Sequence, residues 1–191
     1  MVLTPPIKYD SIEIITGCMF SGKTEELIKR INNAKALGLN TAVFKPEIDN
    51  RYDNENIVSH NGTRIERIAV KNSYEILNFI NGVEIIGLDE AQFFDAEIIE
   101  NCKIIASQKI KIIISGLEKD FMYNPFGPMP GLISISKNIT HLAAICHQCG
   151  DKAFHTFKKI KSESIIEIGE NDIYEARCLA CYQKGLSEQL K

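Results

Sequence analysis

The apolar positions of this chain follow two periods, short unbroken runs and a helical repeat. Residues Ser11 to Thr16 are β-branched and apolar and predict a buried strand over 11–17. Leu27, Ile28, Ile31, Ala34 and Leu37 then recur at helical spacing, and Gly38 supplies the stop. Thr41 to Pro46 predicts a second strand, ended by its proline. Further apolar runs place strands at Val83–Leu88, Lys111–Leu117 and Ile139–Ile145. A short helix is expected at Ser73–Ile80 with Asn72 as its cap, and a longer one at Ala96–Ser107 capped by Asp95. Strands alternating with helices indicate a parallel sheet covered on both faces. Between Glu47 and Arg67 the polar composition reads as a long exposed loop, Asn124 to Gly131 as a proline- and glycine-rich loop, and the tail from Lys184 as frayed.

The character changes after Ile145, where two cysteine pairs flank a segment with alternating apolar residues. The expected division is an α/β domain over 1–142 and a small lobe over 143–191. A length of 191 residues with 45% hydrophobic content suffices for that arrangement. The net charge of −3, with both signs interspersed, speaks against nucleic acid as a partner. No apolar run approaches a bilayer span and the first ten residues lack a signal-peptide core, so a cytoplasmic, membrane-free protein is the expectation.

Gly17-Cys18-Met19-Phe20-Ser21-Gly22-Lys23-Thr24 fits the phosphate-loop pattern and lies between the first strand and the first helix, in the order the chemistry needs. A polyphosphate requires several donors converging from one side, so the backbone must curl around it, which Gly17 and Gly22 permit. The helix start adds its positive dipole end. Lys23 is expected to bridge the outer phosphates and Thr24 to offer its hydroxyl to Mg²⁺. An ordinary glycine-rich turn would need neither.

The run Ile85 to Leu88 ends in Asp89 and Glu90. An acid at the tip of a strand beside the phosphate loop completes the Mg²⁺ shell, the role expected of Asp89. Glu90 would reach the crevice beyond the strand ends, where it can take a proton from an attacking hydroxyl or water. The guanine-reading Asn-Lys-x-Asp motif is absent from the sequence, which favours ATP.

Cys146-His147-Gln148-Cys149 and Cys178-Leu179-Ala180-Cys181 are two knuckles, each able to present two thiolates to one ion. Together they predict a closed tetrahedral sulfur cage suited to structural Zn²⁺, in a lobe too small for a self-sufficient core. Ligand type alone also admits an iron–sulfur cluster, and a redox role for a C-x-x-C pair or ligation by His147 are competing readings. Cys18 and Cys102 are left as reduced thiols, Cys18 open to modification. His60, His141 and His155 are expected in surface or packing roles.

Taken together, the phosphate loop, Asp49-Asn50-Arg51-Tyr52, Asp89-Glu90-Ala91-Gln92-Phe93-Phe94, Gly116 to Phe121 with Pro125-Phe126-Gly127, and the cysteine pairs resemble the small zinc-containing thymidine kinases of bacteria and animal cytosol. The resemblance covers roughly residues 11 to 182. It implies a P-loop NTPase (RecA-like) fold with a C-terminal zinc lobe, and transfer of the ATP γ-phosphoryl group to the 5′-hydroxyl of thymidine, and of deoxyuridine, in nucleoside salvage. Glu90 matches the general base. ATP and Mg²⁺ would meet Gly17 to Thr24, Asp49, Arg51 and Asp89 to Gln92. The nucleoside pocket would comprise Met19, Phe93, Leu117, Thr156 and Tyr174, with Phe121 stacked on the base. The backbone of Ile165, Ile166, Glu167, Ile168 and Gly169 would pair with the base edge, in a lasso-like segment held by the zinc lobe. The resemblance further implies a homotetramer inhibited by thymidine triphosphate. Glu118 stands where relatives mostly have Asp, Met122-Tyr123 replace a usually polar pair, and Cys18 is unusual in its loop. A second reading of the same residues is an ATPase or switch with water as nucleophile. Met19 and Leu117 also fit a plain core role.

Overall fold

The computed structural model describes residues 9–47, 66–160 and 173–189. Its centre is a parallel sheet of six strands, Tyr9–Gly17 (β1), Thr41–Pro46 (β2), Ile68–Val70 (β3), Ile85–Leu88 (β4), Lys111–Gly116 (β5) and Ser136–Leu142 (β6). Their order across the sheet is β3-β2-β4-β5-β1-β6. One strand, β5, thus separates the phosphate-loop strand β1 from the acid-bearing strand β4.

The unbroken apolar runs follow from burial on both faces, since successive side chains in a strand point to opposite sides. Ile12, Ile14, Ile86, Leu88, Ile112 and Ile114 face one core, completed by helix Ile98–Ser107 (α2) and helix Met129–Ile135 (α3). Ile15, Val43, Ile85 and Ile113 face the other, where helix Lys23–Ala36 (α1) contributes Leu27, Ile28, Ile31 and Ala34. Leu37, read as the last residue of the apolar stripe, is instead 79% exposed and caps the helix.

Beyond Leu142 the chain leaves the sheet. Ala144–Ile145 (β7) pairs antiparallel with Lys152–Ala153 (β8), and His155–Lys158 (β9) with Tyr174–Arg177 (β10). Helix Leu179–Gln189 (α4) packs on β9 and β10. Among the described residues, no helix is long and apolar enough to cross a membrane.

Several boundaries differ from the sequence expectation. The strand expected at 139–145 ends at Leu142 and begins at Ser136, and Ala144 and Ile145 belong to the small β7–β8 sheet. The proline-rich stretch is a loop only to Pro128; Met129 opens a helix whose Pro130 lies in the first turn, where a missing N–H costs nothing. The tail from Lys184 is helical through Gln189. Asn72 caps as expected, accepting from Glu75 N, over a 3-10 helix spanning Ser73–Phe79. Asp95 does not cap α2, which begins at Ile98. Its carboxylate accepts from Ser73 N at 2.7 Å and from Ser73 Oγ at 2.5 Å, tying the two helical segments together.

Candidate functional site

The phosphate loop owes its shape to two glycines. Gly17 has φ 152°, and a Cβ there would strike the carbonyl of Leu142 and Ser21 Oγ; Gly22 has φ 80° at the start of α1. A β-carbon is disfavoured in both conformations. Inside the loop, Lys23 Nζ donates to Cys18 O at 2.9 Å. Ser21 Oγ is buried without a hydrogen-bond partner among the described residues. A buried hydroxyl left unpaired in a curled glycine loop suits an incoming acceptor such as a phosphate oxygen.

Asp89 ends β4 at 1% exposure. Its Oδ1 accepts from Ser115 Oγ at 2.5 Å and from Thr24 Oγ1 at 3.2 Å. The residue expected to hold Mg²⁺ from the loop and the one expected to hold it from the strand are therefore in direct contact. Both offer hard oxygen donors, the set Mg²⁺ prefers. The contact also fixes α1 against β4 across the intervening β5.

Glu90 follows with φ 52°, a left-handed conformation uncommon for a side chain of this size. The turn it makes separates the two acids. Asp89 stays buried in the sheet, whereas Glu90 is half-buried. Burial pushes the Lys23 ammonium below its ordinary value, and the charge that opposes this most is Glu90, ahead of Cys18 and Asp89. The Glu90 carboxylate is thus electrostatically coupled to the phosphate loop. Gln92 Nε2 donates to Glu90 Oε2 at 2.6 Å, and Gln92 Oε1 accepts from Leu117 N at 2.9 Å. Gln92 is 2% exposed and bridges the acid to the end of β5. Ala91 lies in the main core at 0% exposure, so its side chain packs and does not line the crevice.

The residues expected to line a nucleoside pocket are found in three contacts. Met19 N donates to Thr156 Oγ1 at 3.0 Å, joining the phosphate loop to β9. Phe121 lies 6.3 Å from Tyr174, ring centre to ring centre, and Lys158 Nζ stands 4.7 Å over the Phe121 ring. Phe93 meets Phe126 edge-on at 5.4 Å. Met19 and Leu117 are half-buried, so neither side chain lies wholly within the core. Asp49, Arg51, His60, Ile165, Ile166, Glu167, Ile168 and Gly169 lie outside the described residues.

The segment that carries Phe121 is held by a cluster of rings. Tyr123 and Tyr182 each lie 5.0 Å from His155, near-parallel to it, and 6.2 Å from each other, so the three rings form a triangle. Tyr182 OH donates to Phe121 O at 2.8 Å. His155 therefore packs, as expected. His141 Nε2 instead faces Glu118 Oε2 at 3.3 Å, and His147 Nδ1 accepts from Ala176 N at 3.3 Å.

The sulfur atoms of Cys146, Cys149, Cys178 and Cys181 all lie within 4.8 Å of one another, a set that could hold one metal ion. Although Cys146 is buried, hydrogen bonds from the backbone of Cys178, Gln148 and Cys149 hold its thiol down at about 6, which favours the thiolate a metal needs. Cys18 does not meet the expectation of a modifiable thiol. It is 5% exposed, donates to Ala153 O at 3.4 Å, and burial pushes its thiol up. Cys102 is buried in the main core, its thiol pushed up to about 12.

Arg67 was expected in an exposed loop, but the residue is half-buried and its guanidinium turns inward. Its side chain is 9% exposed, with Nη2 at 3.2 Å from Asp89 Oδ2. A lone arginine in a polar stretch carries no periodicity or motif that could have singled it out.

The sequence profile of the thymidine kinase family matches residues 10–182. A thymidine kinase of Porphyromonas gingivalis is 42% identical over 178 residues, 93% of this chain and 87% of the relative. One of Bacteroides thetaiotaomicron is 43% identical over 177 residues, 93% of this chain and 89% of the relative. Domain III of the Thermotoga maritima replication initiation protein DnaA is a remote likeness at TM-score 0.42 and 12% identity, over 70% of this chain and 55% of that one. A profile spanning the phosphate loop, the paired acids and both cysteine knuckles, joined to such identity across nearly the whole length, means that the chain belongs to the thymidine kinase family.

Proposed function

We propose that the protein transfers the γ-phosphoryl group of ATP to the 5′-hydroxyl of thymidine, and of deoxyuridine, with Glu90 as general base. The observation that supports this reading is the position of Glu90 next to Asp89, which touches Thr24 of the phosphate loop, with Gln92 bonded to the Glu90 carboxylate and Glu90 the charge that most offsets the burial of Lys23. A nucleoside hydroxyl is a weak nucleophile, and a carboxylate within reach can accept its proton as the oxygen attacks. Lys23 and the loop amides align the phosphates and neutralise charge that develops on them. Thr24 and Asp89 would hold Mg²⁺, which adds to that neutralisation when bound. Phe121 would stack on the thymine ring, with Tyr174, Thr156, Met19, Leu117 and Phe93 around it. Asp49, Arg51 and the backbone of 165–169 complete the reading by family likeness.

Cys146, Cys149, Cys178 and Cys181 would bind Zn²⁺ as a structural ion, since four thiolates leave no position for water. A cytoplasmic homotetramer inhibited by thymidine triphosphate, with an α/β domain over 1–142 and a zinc lobe over 143–191, belongs to the same reading. Incubation with ATP, Mg²⁺ and labelled thymidine tests it. Labelled thymidine monophosphate and ADP in equal amounts are expected. Inorganic phosphate with unchanged thymidine would make the protein an ATPase.

A further inference from the structure

We propose that Arg67 is a second cation of the phosphate site, and that its guanidinium pairs with the terminal phosphate of the nucleoside triphosphate. The inference rests on the reading of ATP as donor given above. Arg67 lies one residue before β3, outside the phosphate-loop motif, yet its side chain crosses to the end of β4 and is 9% exposed there. Nη2 stands 3.2 Å from Asp89 Oδ2, while Thr24 Oγ1 donates to Oδ1 of the same carboxylate at 3.2 Å. Thr24 Oγ1 also lies 3.4 Å from Oδ2, so one carboxylate holds both the guanidinium and the last residue of the phosphate loop.

The contact is a charge pair without an aligned N–H. Arg67 Nη2 is buried and has no hydrogen-bond partner among the described residues. A merely structural ion pair has every reason to align, because a buried guanidinium with unused donors is costly. Asp89 Oδ1 is already taken by the Ser115 and Thr24 hydroxyls, so the carboxylate does not depend on Arg67 alone. The unused donor makes sense if a second acceptor arrives, and the planar fork of arginine matches two phosphate oxygens. Position selects the terminal phosphate. The loop amides curl around the inner groups and Lys23 reaches the outer ones from the loop side, whereas Asp89 follows β4 on the opposite side, next to Glu90, the proposed base for the group to be transferred. A cation there would also offset charge on the phosphoryl group as it moves.

The test is calorimetric titration of the full chain with Mg²⁺ and either ADP or a non-hydrolysable ATP analogue. Arg67→Met should lose about 10-fold or more in affinity for the analogue and less than about threefold for ADP. Arg67→Lys should fall between wild type and Arg67→Met in analogue affinity, and should leave the KM for thymidine nearly unchanged while kcat drops. Equal losses for both nucleotides, or no loss, would make Arg67 a structural partner of Asp89 and overturn the proposal. If Arg67→Met does not fold, Arg67→Lys decides alone: an analogue-to-ADP affinity ratio equal to that of wild type overturns it. Failure of the donor assignment looks different, because the wild type itself would then bind neither nucleotide and form no thymidine monophosphate.

Discussion

Gln92 has an amide whose two ends meet opposite demands. Its nitrogen faces a carboxylate oxygen of Glu90 and its oxygen faces the N–H of Leu117, so only one orientation satisfies both. Gln92→Leu would take from the half-buried Leu117 amide its Gln92 acceptor, at a cost of about 1 kcal/mol. It would also remove the Gln92 bond that orients the Glu90 carboxylate, so kcat should fall about 10-fold or more while ATP affinity holds. Thermal melting and steady-state kinetics on one preparation check the two effects separately. Glu90→Gln keeps the shape and removes the base, and should cut turnover by about 10²-fold or more with ATP binding nearly intact. Unchanged turnover would take Glu90 out of the base role. The Asp-Glu pair was legible because an apolar strand that ends in acids beside a phosphate loop has few other uses. Arg67 was not, since its position depends on where β3 joins the sheet, a long-range fact with no local trace.

At the level of elements, the sequence revealed what periodicity encodes and missed what tertiary contacts decide. The strands of the parallel sheet appear as apolar runs because both of their faces are covered. Asp95 looked like a cap because it precedes an apolar stripe, but Ser73 competes for the same carboxylate and wins. Asp95→Ala and Ser73→Ala should therefore each destabilise, and the double variant should cost less than their sum, since both remove the Ser73 Oγ–Asp95 bond. Additive losses in denaturant titration would assign the Asp95 carboxylate to helix capping after all. The ring cluster on the Phe121 segment adds a pH dependence. Burial, and then the charge of Lys119, hold the His155 imidazole below its ordinary value. The unfolded chain therefore binds the proton more readily. The cluster's contribution is complete above the ordinary histidine value of about 6.5 and is lost as pH falls through it towards the lower folded value. Melting temperatures recorded from about pH 8 to about pH 5 should fall less for His155→Phe, which keeps a ring and loses the titration.

Across the whole molecule, the cysteine lobe and the phosphate loop are tied at three successive residues. Cys18 donates to Ala153 O, Met19 N to Thr156 Oγ1, and the Phe20 ring meets the His147 ring edge-on at 5.7 Å. The lobe is built from two two-stranded sheets, which are marginal alone, and α4, so an ion on its four cysteines would add to its stability. Opening the cage should then act unequally on the two substrates. Thr156 and Tyr174 sit on β9 and β10, whereas Lys23, Thr24 and Asp89 are fixed by the sheet and by α1. Cys149→Ser should raise the KM for thymidine about 10-fold while that for ATP moves by no more than about twofold, and should lower the melting temperature. Metal analysis of the purified protein provides the control, with one zinc per chain expected in wild type and less in the variant. If both KM values rose together, the Cys18 to Phe20 ties would be strong enough to carry the disorder into the phosphate loop. A wild-type protein purified without zinc would remove the cage from the explanation altogether, and leave the ring cluster around His155 as what holds the lobe on the sheet.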